Sequence, residues 1–174
     1  MTDSIVIEAN QSGRLWTEDP ERWRRLCAGE GCPICEQGPP AIEVLAETPT
    51  CWVTAASEAS LPGYVCVTSK VHAVEPYDLS EQEQVAFWLD GMTAARGLAD
   101  VLEPIKMNYE IHGNTIPHLH MHLFPREPGD VYVGYVIQSR AQFRRSPREL
   151  ERMAEGIRRR LEARGRLRPD QGRQ

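Results

Sequence analysis

The apolar positions of this chain follow two rhythms. Three short segments, Ile42 to Glu47, Cys51 to Ala55 and Tyr64 to Ser69, are rich in β-branched and aromatic residues and are separated by Thr48-Pro49 and Leu61-Pro62-Gly63. They predict an antiparallel meander. Two further extended segments, Ile105 to Ile111 and His118 to Phe124, flank a turn at His112-Gly113-Asn114. Between these groups the rhythm changes to steps of three and four, which predicts a long helix from Ser80 to about Val101. Its buried stripe is expected to be Val85, Leu89, Met92, Ala95 and Ala99, and Pro104 stops it.

Capping chemistry sharpens the boundaries. Ser80 with Glu83, and Ser146 with Glu149, are spaced as capping boxes, in which each side chain satisfies an orphan backbone N–H of the other. The second opens a C-terminal helix to about Arg164. Asp19-Pro20 opens a short helix through Trp23 and Leu26, ended by Gly29, Gly31 and Pro33. Residues 1–19 lack periodicity and read as an N-terminal arm, 20–165 as one domain and 166–174 as a C-terminal tail. The order strands, helix, strands, helix predicts an α+β domain, with helices packed on an antiparallel sheet.

Composition narrows the class. The 174 residues are 41% apolar and 26% charged, as in one globular domain. No apolar run approaches the roughly 20 residues that cross a bilayer, and Met1 to Asn10 has no basic stretch followed by an apolar one, so a cytoplasmic location is expected. Five cysteines, an odd number, argue against a disulfide scaffold. The net charge of −5 is uneven: from Arg140 onward twelve Arg face four Glu and one Asp, a local +7. Those charges alternate at helical spacing, as on a solvated face, so nucleic-acid binding is not expected.

The chemistry concentrates in His118-Leu119-His120-Met121-His122. In a strand, alternate side chains share a face, so three imidazoles would line one surface with Leu119, Met121 and Leu123 behind them. Three histidines in register are costly unless they bind a metal or handle protons and phosphate. A neutral imidazole can attack phosphorus while its neighbours act as donors, and a three-histidine metal site is the competing reading. Cys32-Pro33-Ile34-Cys35 is a second constellation. Two thiolates at this spacing can grip a zinc ion that needs two further ligands; a redox pair or plain thiols are the alternatives. Cys27, Cys51 and Cys66 read as small apolar side chains.

The stretch from Lys106 to Arg126, with Asn108, Gly113-Asn114, Pro117 and the histidines in order, resembles the histidine triad (HIT) superfamily of nucleotide hydrolases and transferases. It resembles bacterial members related to diadenosine tetraphosphate hydrolases. Pro62-Gly63-Tyr64, Lys70-Val71-His72 and Asp78-Leu79-Ser80 extend the resemblance. It implies a HIT-like fold, a homodimer paired through the sheet and long helix, and cleavage of dinucleoside polyphosphates or nucleoside phosphoramidates at the α-phosphate. Nucleotidyl transfer to another acceptor, or regulatory nucleotide binding with incidental turnover, are the alternatives.

Residue by residue, the resemblance implies that His120 is the nucleophile, that His122 contacts phosphate and assists the leaving group, and that His118 orients the site. Asn114 stands where many members carry Gln. Asn108 matches an Asn near the phosphate, and Arg126 is a candidate polyphosphate contact. Many members place an acidic residue near Ala56 or Ser57, which this chain does not. The strands at 51–55 and 64–67 are expected to floor the nucleotide pocket, and His112 to be solvated or near the phosphate entrance. Some members hold a structural zinc, which here implies the ligands Cys32, Cys35, His72 and His118. No redox cofactor is implied.

Overall fold

The computed structural model describes residues 15–39, 43–138 and 141–168. Most of the expected N-terminal arm, Ile42 and the last six residues of the expected tail lie outside them. Where the arm meets the domain it is helical: α1 (Leu15–Glu18) is a single turn, with Trp16 edge-on to Trp23 at 5.2 Å between centroids. It leads into α2 (Pro20–Cys27), whose first turn is capped by Asp19 accepting from the Arg22 amide at 2.9 Å. Pro33 does not only end this region. It occupies the first turn of α3 (Pro33–Gln37), where the missing N–H costs nothing, and α3 carries Cys35 with Cys32 as its N-cap.

The meander follows as β1 (Glu43–Glu47), β2 (Cys51–Ala55), the two-residue β3 (Glu58–Ala59) and β4 (Val65–Ser69). A 3-10 turn at Pro76–Asp78 precedes α4 (Glu81–Leu102). Then come β5 (Lys106–Glu110), β6 (His120–Arg126), the two-residue β7 (Phe143–Arg144) and α5 (Pro147–Ala163). Both capping boxes form. The main sheet is antiparallel in the order β1-β2-β4-β6-β5, and β3 pairs with β7 in a separate ribbon that no pattern in the sequence announces. This is the α+β architecture expected from the order of elements.

Two expectations need correction. The strand expected from His118 begins at His120, because Pro117 sits in a tight turn closed by the His118 amide bonding to Ile116 O at 2.8 Å. His112-Gly113-Asn114 is therefore part of a nine-residue connection rather than a two-strand turn. The stripe on α4 also differs: Ala95 is buried and Met92 and Ala99 are half-buried, but Val85 and Leu89 are 55% and 48% exposed. The buried face is Phe87, Gly91, Ala94, Ala95, Gly97 and Leu98. Small residues are buried there because α4 is pressed between the sheet and α5, where backbones approach closely.

That approach is tightest at Gly97 and Gly156. A Cβ on Gly97 would lie 2.5 Å from Gly156 O, and one on Gly156 would lie 2.6 Å from Gly97 O. Val53, Val65, Val67, Met121 and Leu123 form the helix-facing side of the sheet and join Phe87, Leu98, Leu150, Met153 and Ile157 in one core. The opposite side carries Trp52, Thr54, Cys66, Thr68, His120, His122 and Phe124. The chain remains packed past α5: Arg166 meets the buried Asp90 at 2.5 Å, and Arg168 meets Glu47 at 2.8 Å. Among the described residues no helix is long and apolar enough to cross a membrane.

Candidate functional site

The open side of the sheet brings His120 and His122 together, two residues apart on β6, with ring centroids 4.8 Å apart. Each is fixed by a different partner. His120 Nδ1 lies 2.7 Å from the His118 carbonyl oxygen, which can only accept, so the ring carries its proton on Nδ1 and leaves the Nε2 lone pair free. His122 Nδ1 lies 2.8 Å from the Tyr64 hydroxyl. Burial pushes the Tyr64 phenol well above its ordinary range, so it stays protonated and can donate to Nδ1, the pairing that places the His122 proton on Nε2.

Burial also settles the charge of these rings. It lowers His120 from its usual 6.5, and it takes His122 down to about 3, aided by the neighbouring His120 and His112. With Tyr64 as donor, the pair near neutrality is one lone-pair nitrogen beside one N–H, both uncharged. Tyr64 is held in turn by stacking on Phe124 at 4.8 Å and on His122 at 5.7 Å between centroids. Arg145, only 5% exposed, donates to the carbonyls of Tyr64 and Ala56 and so ties the β3–β7 ribbon to this strand.

His118 does not share that surface. The turn at Pro117 rotates its ring into a separate cluster, buried to 1% exposure, and only its carbonyl reaches His120. His118 Nδ1 stands 3.4 Å from Cys32 Sγ, 3.6 Å from Cys35 Sγ and 3.3 Å from His72 Nδ1, and His72 Nδ1 stands 3.3 Å from Cys35 Sγ. The far nitrogens donate to backbone: His118 Nε2 to Ser69 O at 2.8 Å, His72 Nε2 to Cys27 O at 3.1 Å. Two imidazole lone pairs therefore face each other. A tetrahedral zinc with zinc–sulfur near 2.3 Å and zinc–nitrogen near 2.0–2.1 Å has edges of about 3.3–3.8 Å between ligand atoms, so these four residues fit the ion. The expected ligand set is thus assembled from α3, its preceding residue, the exit of β4 and the turn before β6.

The remaining candidates are placed as follows. Asn108 is the cross-strand partner of Phe124, half-buried on the side that carries His122. Asn114 is exposed in the connection before β6, and among the described residues no hydrogen bond joins it to the histidines. Arg126 is committed elsewhere: its guanidinium grips both oxygens of Asp130 at 2.6 and 2.8 Å and the Tyr132 carbonyl at 2.9 Å, so its charge is already neutralised. His112 and Glu110, joined at 2.9 Å, lie beside His122. Cys66 is directly opposite His122 across the β4–β6 ladder. Tyr64 is the functional candidate that sequence reasoning passed over; its strand register, which sets it on the histidine side two places before Cys66, was the available signal.

Known proteins bear on this geometry in two ways. Among solved structures, a histidine triad protein from Bradyrhizobium japonicum is 23% identical with a TM-score of 0.59, over 69% of this chain and 90% of that one. One from Marinobacter aquaeolei is 22% identical with a TM-score of 0.60, over 70% and 90%. A zinc-bound histidine triad family protein from Mycobacterium smegmatis is 23% identical with a TM-score of 0.53, over 78% and 94%. These establish the likeness of fold. No curated protein matches the chain by sequence. The HIT domain model matches residues 41–129, more than half of the chain and all of the main sheet that carries the paired histidines, and the chain belongs to the histidine triad (HIT) family.

Proposed function

We propose that this chain is a nucleotide hydrolase that cleaves a phosphoanhydride or phosphoramidate bond at the α-phosphate, with adenine nucleotides as substrates. The observation that carries the reading is the complementary state of the two neutral rings: His120 offers a lone pair and His122 offers an N–H, side by side on one open face. His120 Nε2 attacks the α-phosphorus as the bond to the leaving group breaks, and the electron pair departs on the leaving-group atom, which His122 Nε2–H stabilises by a hydrogen bond. Water then attacks phosphorus, the phosphorus–nitrogen bond breaks with its electron pair returning to His120 Nε2, and the water's spare proton passes to the leaving group or to solvent, releasing a nucleoside monophosphate. Family membership supports nucleotide chemistry broadly; the likeness to diadenosine tetraphosphate hydrolases supports the narrower substrate class.

His118 acts through its carbonyl, which keeps the His120 proton off the attacking nitrogen. Asn108, on the same side of the sheet, is suited to contact the phosphate, and Asn114 can reach it only from the connection before β6. Cys32, Cys35, His72 and His118 would hold a structural zinc, which would supply a fixed cross-link between α3 and the turn that positions the His118 carbonyl. The exposed Val85, Trp88 and Leu89 on α4, with Ile105 and Tyr109 at the β5 edge, suit a homodimer interface.

The test is AMP release from diadenosine polyphosphates, adenosine phosphoramidates and nucleotide sugars, comparing wild type with His120→Ala, with and without inorganic phosphate as an alternative acceptor. Turnover that His120→Ala reduces by several orders of magnitude supports the reading. Equal turnover by both proteins overturns it, and ADP that forms only when phosphate is added, from a phosphoramidate whose leaving group is not ADP, reassigns the chain to nucleotidyl transfer.

A further inference from the structure

A polyanionic substrate calls for positive charge, and the three histidines supply little. His118 turns its ring into the Cys32 cluster, His120 commits its Nδ1 to the His118 carbonyl, and burial keeps His122 neutral near pH 7. Arg126 is neutralised by Asp130, and Lys106, at the far end of β5, turns its ammonium to the Met107 carbonyl. The basic side chain whose ring lies against His122 is His112.

Its setting is specific. Glu110, the last residue of β5, is the cross-strand partner of His122, so the two side chains share the open face. His112 follows two residues later, its Nε2 2.9 Å from Glu110 Oε2 and its ring centroid 5.5 Å from that of His122. The carboxylate fixes Nε2–H and leaves Nδ1 as the free ring nitrogen. Glu110 is largely covered at 20% side-chain exposure, whereas His112, at 46%, is open to a ligand arriving from solvent. The groups that face it are Glu110 from β5 and His120 and His122 from β6, with Arg126, paired to Asp130, four places along that strand.

We propose that His112, oriented by Glu110, is a fourth histidine of the site, which binds the phosphate oxygens of the nucleotide as an imidazolium bridging the Glu110 carboxylate and the ligand. The inference rests on the nucleotide reading above. A phosphate on one side and a carboxylate on the other each accept from the ring, so both ring nitrogens must be protonated in the complex. Without that proton, Glu110 presents uncompensated negative charge to the ligand. The residue therefore discriminates phosphorylated from unphosphorylated nucleosides without taking part in bond breaking.

The test uses adenosine 5′-methyl phosphate, a diester whose single charge is constant from pH 5 to 9, with adenosine as the uncharged control, by titration calorimetry at pH 7.5. Wild type is expected to bind the diester more tightly than adenosine. His112→Gln is expected to weaken the diester by about tenfold and leave adenosine unchanged, while His112→Lys restores affinity for the diester. In turnover, the His112→Gln loss should fall mainly on KM. Wild-type affinity for the diester in His112→Gln would overturn the proposal. A wild type that shows no preference for the diester overturns the nucleotide reading and this inference with it.

Discussion

The Tyr64 hydroxyl lies 2.8 Å from Nδ1 of His122, and the two rings are stacked with an interplanar angle of 27°. The hydrogen bond decides which nitrogen of His122 carries the proton. Tyr64→Phe keeps the ring and its stacking on Phe124 but frees His122 to adopt the tautomer with no donor toward the substrate. The expected result is a fall in kcat of about ten- to a hundredfold with KM within roughly twofold, and little change in melting temperature. A parallel rise in KM would show that Tyr64 binds substrate instead of setting the tautomer.

Acid should act on the same rings. His120 and His122 are held below 6.5 by burial, His122 at about 3, so the folded state refuses protons that the unfolded chain accepts near its ordinary 6.5. Their contribution to stability is complete above about pH 6.5 and is lost as the pH falls from there toward 3. Urea midpoints at pH 7.5 and pH 5 should therefore differ, with wild type weaker at pH 5. His120→Asn/His122→Asn should narrow the difference; an unchanged difference would assign the acid sensitivity to other groups. The acid limb of kcat should lie below pH 6.5, where His120 loses its lone pair.

Much of this was legible from the chain. The five strands of the main sheet fall close to their expected positions because β-branched runs and Pro-Gly turns mark them locally, and both long helices start at Ser80 and Ser146, whose capping boxes form. What escaped was nonlocal. That His118 leaves the strand follows from the turn at Pro117 together with ring contacts to Cys32 and His72, 86 and 46 residues away. The β3–β7 ribbon has two residues in each strand, too few to show alternation. The α4 stripe misled because large apolar residues lie outside while glycines and alanines face the neighbouring helix and sheet, the reverse of a simple amphipathic pattern.

The glycine pair gives a stability prediction independent of the site. Gly97→Ala would place its Cβ 2.5 Å from Gly156 O and 2.7 Å from Ile157 Cα, both backbone atoms that no rotamer change can move. The α4–α5 crossing must open, with an expected loss of about 2–4 kcal/mol in denaturant unfolding. Turnover per folded molecule should not change, because the substituted face lies on the far side of the sheet from His120. A loss below about 0.5 kcal/mol would mean that the helices separate without cost.

Assembly is testable through one side chain. Trp88 is 49% exposed on α4 between Val85 and Leu89, and together with Pro76 and Leu79 it lines an apolar depression. If this face pairs two copies, Trp88→Glu buries a charge at the interface and should give monomers in sedimentation velocity, where wild type gives dimers. A dimer that survives the substitution would move the interface elsewhere.

The cluster at Cys32 predicts a separation between stability and chemistry. With the ion bound, the His72 and His118 lone pairs and the two sulfurs would share one cation; without it, Cys35 is driven up to about 11 by burial and by Cys32, so its thiol stays protonated. Wild type is expected to carry about one zinc per chain by elemental analysis, and Cys32→Ser/Cys35→Ser none. The double variant should melt roughly 10 °C or more below wild type, since α3 then loses its tie to the strand exits. Catalysis should suffer less and in a particular way. The His118 carbonyl still follows Pro117, but its ring no longer anchors it, so the hydrogen bond that keeps the His120 proton on Nδ1 loosens. A fall in kcat of about tenfold at constant KM is the expected signature. Full zinc in the double variant would refute the ligand set, and an unchanged kcat would show that the Pro117 turn alone holds the His118 carbonyl in place.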